Sequence, residues 1–398
     1  MKMIIIISLV CALLTACGKS GSDSQSQTDP EISFADISVA EGNGGAGTVE
    51  LLLTLNHATS KQVSVNYSTI DGSAKGGEDF TAVSNQTITF QPNEPTKKLL
   101  LTVVADDLKE ADETFQVSFQ NAVNATVPKN MCSVTLKNDD TKVGFNNTGF
   151  DAPATYPGYS LAWADEFNAT TLEGNTWTME SGDGCPALCN WGNNELEYYT
   201  NNTNNLLFQD GKMLIEAKAE TFGGKNYTSV RMKTQDKKPF KFGRIDIRAI
   251  LPKGKGLWPA FWLLPQENVF GGWPKSGEID MMELVGSEPA KVLGTLHYGP
   301  GPGSISITKN KVLPTGSFND QFHVFSLEWK EDQIQWLIDG EVFSTINKAD
   351  IGNNNYPFNE KFYLLVNLAV GGNLPGNPDA GTYFPQWLIV DYIRVYQK

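Results

Sequence analysis

Apolar and polar residues alternate with a period of two along most of this chain. Val63, Val65 and Tyr67 are spaced in this way, as are Leu99, Leu101 and Val103, then Phe115, Val117 and Phe119, then Cys132, Val134 and Leu136. Side chains two apart share one face of a strand, so such runs between Gly/Asn/Asp turns predict antiparallel strands packed as a sandwich over residues 30–140. Cys132 lies on the apolar face and is expected as a buried free thiol. The same period returns after residue 160, in Phe325, Leu327 and Trp329, in Ile334, Trp336 and Ile338 before the turn Asp339-Gly340, and in Ile389, Ile393 and Val395 around Asp391. Without sustained helical periodicity, residues 161–398 predict a second, larger all-β sandwich. Residues 141–160, rich in Gly, Pro and Asn, are the expected connector.

The N-terminus breaks the pattern. In MKMIIIISLVCALLTAC one lysine precedes a mostly apolar run of signal-peptide length, too short to span a bilayer comfortably. Leu14-Thr15-Ala16-Cys17 resembles the bacterial lipobox. That resemblance implies removal of residues 1–16, lipidation of Cys17 and attachment to a membrane of the bacterial cell envelope, the outer membrane, facing either the periplasm or the exterior. Residues 17–29, small and polar, then serve as a flexible tether.

Composition narrows the partners. The 398 residues carry 45 acidic and 31 basic side chains, a net charge of -14, which repels a phosphate backbone and argues against nucleic acid. All nine tryptophans lie between Trp163 and Trp387, so the second region is where a stacking surface is to be sought. Trp163, Trp177, Trp329 and Trp336 sit in strand-like patterns and are assigned to packing.

The candidate chemistry lies in GEIDMMELVG, residues 277–286. Glu278 and Asp280 share a strand face; Glu283, five positions after Glu278, falls on the other. One extra residue in a β-bulge at Met281-Met282 corrects the parity and brings all three carboxylates to one side. Clustered acids drive at least one pKa upward. One ionised and one protonated carboxyl are what hydrolysis of a glycosidic bond needs; a solvated acidic strand or a metal site are the other uses of such a cluster. Trp258 and Trp262 precede the acids, Trp273 lies between, and His297 and Tyr298 follow. Indoles stack on the apolar faces of sugar rings, which suits a glycan cleft.

Here the sequence resembles glycoside hydrolase family sixteen, and within it the laminarinase-like endo-β-1,3-glucanases. The resemblance runs from LAWADEF through WGNNELEYYT, YTSVRMKT, FGRIDIRA, GLWPAFWLL, SGEIDMMELVG, GTLHYG and VNLAVGGNLPGNPD to VDYIRVYQ. It implies a β-jelly roll with a long concave cleft. It also implies retaining hydrolysis without a catalytic cofactor, with Glu278 as nucleophile, Glu283 as acid/base and Asp280 between them. Asn194, Arg231 and Asn367 are implied as hydrogen-bonding residues, Trp258, Trp262 and Trp273 as stacking surfaces and His297 as a polar contact. The family's structural calcium site is implied at Glu166 and Gly211, through backbone oxygens, and at the Asp391 side chain, whose charge on an apolar strand face needs a partner. Many relatives have a tryptophan where this chain has Leu374. Mixed-linkage glucan or an algal galactan are neighbouring substrate readings, and a surface protein that captures glycan without cutting it is a third. A monomer is expected.

Residues 30–140 resemble a Calx-beta module, an immunoglobulin-like sandwich, through VAEGNGG, YSTIDGSAKGGEDF, FQPNE, DDLKEADETF and KNDD. The resemblance implies calcium at Glu41, Asp79, Asp106, Glu110 and Asp140. Cys185 and Cys189, four apart in an exported loop, are the expected disulfide; three histidines without ligand spacing make zinc a poor rival.

Overall fold

A computed structural model describes residues 28–201 and 203–398; the signal segment and Cys17 lie outside the described residues. No helix among the described residues is long and apolar enough to cross a membrane. The chain divides into two compact units, one holding the described residues through Ala105 with Glu113–Lys137, the other Asp106–Asp112 with Asn138–Lys398.

The first unit is the expected sandwich. Ile32–Ser33, Gly45–Leu55 and Thr96–Ala105 form a three-stranded sheet. The other sheet has five strands in the order Ile37–Ala40, Met131–Lys137, Glu113–Val123, Val63–Ile70 and Gln86–Phe90. The alternating residues meet in one core, with Val63, Val65, Leu101, Phe115, Val117 and Val134 all buried. Cys132 is free and buried; burial pushes its thiol up to about 11, so it packs as an apolar group. Of the acids implied as calcium ligands, Glu41 and Asp79 belong to this unit and Asp106, Glu110 and Asp140 to the other. Asp79 Oδ2 accepts the Lys75 N–H at 2.6 Å and Asp106 Oδ1 the Leu108 N–H at 2.7 Å, an ordinary use of aspartate in turns.

The second unit is a two-sheet jelly roll. Its concave sheet has seven antiparallel strands in the order Thr178–Glu180, Arg231–Lys233, Phe362–Val370, Leu257–Pro265, Glu278–Leu284, Lys291–Tyr298 and Ile305–Val312. The convex sheet runs Leu206–Gln209, Lys212–Ala217, Gln386–Gln397, Gly243–Ile250, His323–Lys330, Gln333–Ile338 and Glu341–Asn347, with Ser160–Asp165 also paired to Gln386–Gln397. Between the sheets Phe261, Ile279, Met282, Phe325, Leu327 and Trp336 form a continuous core. Trp177, Trp329 and Trp336 are buried and Trp163 packs against them, as their patterns predict. Trp336 lies so close under the active-site sheet that a Cβ on Gly294 would meet its ring at 2.6 Å; only glycine fits there.

The presumed connector is part of this unit. Val143 is buried with Leu214, Ile250, Phe322 and Ile389. The Gln209 side chain pairs with both backbone groups of Val143, at 2.8 and 2.9 Å. Tyr392 Oη accepts the Ala152 N–H at 2.8 Å and donates to Asp151 Oδ1 at 2.7 Å. A segment whose composition reads as a linker is thus fastened along the convex sheet.

Candidate active site

The bulge inferred from parity is present. Glu278 pairs with His297, Asp280 with Thr295 and Glu283 with Leu293, the register shifting between Asp280 and Glu283. Met281 and Met282 both point into the core, 2 % and 0 % exposed, while all three carboxylates face a groove of about 800 Å³. Cross-strand partners share a face. Arg231, Asn367, Ala260 and Glu283 therefore form one row across the groove floor, and Trp262, Asp280 and Thr295 the next. Lining residues come from six adjacent strands, and five spacings of about 4.8 Å make a floor about 24 Å long.

Each outer carboxylate receives an indole N–H. Trp273 Nε1 donates to Glu278 Oε2 at 2.7 Å and Trp258 Nε1 to Glu283 Oε1 at 3.1 Å. His297 Nε2 lies 3.2 Å from Asp280 Oδ2, and its Nδ1 faces Ser304 Oγ at 3.3 Å. Glu278 and Asp280 hydrogen-bond to each other, an arrangement that needs a proton. Among the described residues no Lys or Arg pairs with the trio. Burial pushes Glu278 up to about 8, and the Asp280 charge adds to the rise. Burial and then Glu278 push Glu283 up to about 7. Asp280 is raised well above the carboxylate range by burial and by Glu283. The three titrate as a coupled set that retains protons near neutral pH.

The remaining walls are aromatic and amide. Arg231 is held between Trp191 and Trp262, 4.4 and 4.8 Å from the ring centroids. Its Nε donates to Glu180 at 2.6 Å, so its charge is already committed. Trp262 Nε1 donates to Asn367 Oδ1 at 2.8 Å. These contacts make a groove that offers flat apolar faces and hydrogen-bonding edges together, around acids that carry protons.

Residues 188–387 match the family described as Glycosyl hydrolases family 16. The chain belongs to that family. Residues 23–140 match the Calx-beta domain. Over 232 residues the chain is 43 % identical to the glucan endo-1,3-beta-glucosidase of Cryptopygus antarcticus, covering 54 % of this chain and 82 % of that one. It is 42 % identical over 261 residues to glucan endo-1,3-beta-glucosidase A1 of Niallia circulans, 61 % of this chain but only 38 % of that longer protein. The solved endo-beta-1,3-glucanase of Pyrococcus furiosus superposes with a TM-score of 0.57 at 42 % identity, over 60 % of this chain and 94 % of that one.

Within the family 16 domain, the structure places Glu278, Asp280, Glu283, Arg231, Trp258, Trp262, Trp273, His297 and Asn367 on the groove. Asn194 is the exception. Its side chain donates to Asn373 Oδ1 at 2.8 Å and is exposed, and Asn193 lines the wall in its place. Alternation gives no guide here, because Asn190, Trp191 and Asn194 have φ of 53°, 51° and 60°. The same loop presents Trp191 and Leu188 to the groove, with Leu374 also on it. The disulfide Cys185–Cys189 closes the loop as expected.

At the calcium site implied at Glu166, Gly211 and Asp391, the one side-chain ligand already has cationic partners. The Asp391 carboxylate is paired with Arg248, and with Lys212 Nζ at 3.3 Å; Lys212 also donates to the Asp210 carbonyl at 3.1 Å. Arg394 takes the Glu166 side chain with two N–H groups at 2.7 and 2.8 Å. The charge that called for a metal is balanced by side chains. In the groove, Glu278, Asp280 and His297 each offer a ligand atom within 4.8 Å of the others, near enough for one cation. The shared proton and the indole N–H on Glu278 instead suit acid–base work.

Proposed function

We propose that this glycoside hydrolase is a retaining endo-β-1,3-glucanase acting on laminarin-like glucans. The observation that carries the reading is the bulged strand that sets Glu278 and Glu283 on one face of an aromatic groove, each carboxyl held by an indole N–H. Glu278 attacks the anomeric carbon while the Glu283 proton passes to the leaving oxygen; Glu283 then takes a proton from water as the glycosyl ester is cleaved. The one proton shared by Asp280 and Glu278 rests on Asp280 during attack, which leaves the Glu278 carboxylate ionised and hydrogen-bonded to it. Trp258, Trp262 and Trp273 stack against sugar rings, and Asn367 and His297 meet hydroxyls. Substrate class follows from two relatives named as endo-1,3-beta-glucosidases.

The test is release of reducing ends from laminarin, with mixed-linkage glucan and agarose beside it. Activity on laminarin that falls roughly 10⁴-fold or more in Glu278→Ser supports reaction and nucleophile together. Equal rates in parent and variant would remove the site assignment, and binding of laminarin without cleavage would favour a capture protein.

A further inference from the structure

Beside Asn367 lies a second pair of acids, Glu195 at the groove wall and Glu197 beneath it, that the reaction leaves unused. Glu195 and Glu197 are 3 % and 0 % exposed and hydrogen-bond to each other, which two carboxyl groups do only when they hold a proton. Glu197 Oε2 accepts the Val370 N–H at 2.6 Å. Glu195 Oε2 accepts the Tyr199 hydroxyl at 3.1 Å, and its Oε1 accepts Asn193 Nδ2 at 3.3 Å. Tyr199 in turn accepts Asn367 Nδ2 at 3.1 Å, and Asn367 Oδ1 accepts the Trp262 indole N–H at 2.8 Å.

Donors and acceptors permit one arrangement. An indole only donates, so Asn367 turns Oδ1 to Trp262 and Nδ2 to Tyr199. The phenol then accepts from the amide and gives its own proton to Glu195. Both Glu195 oxygens already accept from side chains, whereas Oε1 of Glu197 has no donor, so Glu195 is the ionised member and the shared proton resides on Glu197. Burial raises both acids, Glu197 well above the carboxylate range, while the Glu197 hydrogen bond and the Arg231 charge ease Glu195 back.

We propose that Glu195 and Glu197 are positioning residues, a proton-sharing pair that fixes through Tyr199 the orientation of the Asn367 amide on the groove floor, in the row of Glu283. The amide's second N–H is thereby held ready for a sugar hydroxyl. The identity of that sugar rests on the glucanase reading; the hydrogen-bond chain does not.

Amide variants test the assignment in the full chain. Glutamine at 197 reproduces a protonated acid, accepting from Val370 and donating to Glu195. Glutamine at 195 must set an NH₂ against a donor, either Asn193 or Tyr199. The ¹⁵N–¹H signal of the Trp262 indole, identified by its loss in Trp262→Phe, reports the chain without reference to catalysis. We expect Glu195→Gln and Tyr199→Phe to move it, and Glu197→Gln to move it less than half as far. On laminarin the first two lower kcat/KM about tenfold and Glu197→Gln clearly less. A Trp262 signal unmoved by Tyr199→Phe, or moved as far by Glu197→Gln as by Glu195→Gln, overturns the proposal. A parent protein inert on laminarin overturns the glucanase reading instead, and the indole signal still decides the positioning pair.

Discussion

The two faces of the jelly roll treat acidic residues in opposite ways. On the convex sheet the fully buried acids have cations, Asp246 from Arg244 and Glu216 from Lys109, and the half-buried Asp391 has Arg248 and Lys212; Asp165, on the strand paired to its side, takes the Trp177 indole N–H instead. On the concave sheet Glu278, Asp280 and Glu283 receive indole N–H groups and one histidine. Glu180, at the far edge, marks the boundary, because burial raises it while Arg231 and Lys233 hold it below the usual carboxylate range. The difference separates structure from chemistry. An acid beside a fixed cation stays ionised and holds strands together, whereas an acid given indole donors with no Lys or Arg beside it keeps its proton and can pass it on.

The most damaging way to test this contrast is to bring a cation to the concave face. Leu293 lies opposite Glu283; Leu293→Lys should pull the Glu283 pKa down from about 7 and lower kcat at neutral pH by roughly a hundredfold, the scale of general-acid catalysis. The alkaline limb of the pH–rate profile should move to lower pH; a profile that stays in place breaks the argument. The converse experiment removes a cation from the convex face. Arg248→Met leaves Asp391 with Lys212 alone and should cost about 2 kcal/mol of stability in denaturant unfolding, with kcat/KM unchanged within twofold.

Stability against pH sharpens the contrast further. Glu278 and Glu283 have folded pKa values of about 8 and about 7, above the unfolded value. Their contribution is complete below the unfolded pKa and is lost as pH rises through 7 to 8. The melting temperature should therefore fall between about pH 5 and pH 8, and the variant carrying Glu278→Gln with Glu283→Gln should show a flatter curve that crosses above the parent at high pH. The smallest effect concerns the groove end, where Leu374 is 42 % exposed. Leu374→Trp should lower KM on laminarin by about twofold to tenfold with kcat unaffected, the range of one added aromatic stack.

What could be read in advance follows from how local each signal is. Strand parity and the core tryptophans depend on neighbours in sequence, and the three acids could be placed on one face through the bulge that their spacing calls for. Asn193 could not be told from Asn194, because left-handed backbone at Asn190 and Trp191 resets which side chains face the groove. The partners of Asp391 were out of reach for a different reason. Its partner Arg248 is 143 residues away in the chain, and only the assembled sheet brings them together. Residues 141–160 misled through composition, since Gly- and Asn-rich chain can be fastened by a few large contacts, such as Val143 in its apolar pocket.

The bulge at Met281-Met282 carries a consequence at the level of the gene. Loss of one of the two methionine codons would restore regular pairing and leave Glu283 on the groove side, four positions from Glu278, whereas loss of the Ile279 codon would turn Asp280 toward the core. In the second case the fold would have to bury a carboxylate to keep its sheet, so the spacing of the acids, as much as their identity, is what inheritance must preserve in this strand. Substitutions in the loops around the groove are free of that restriction, which leaves substrate range open to change by point mutation while the spacing from Glu278 to Asp280 tolerates neither insertion nor deletion.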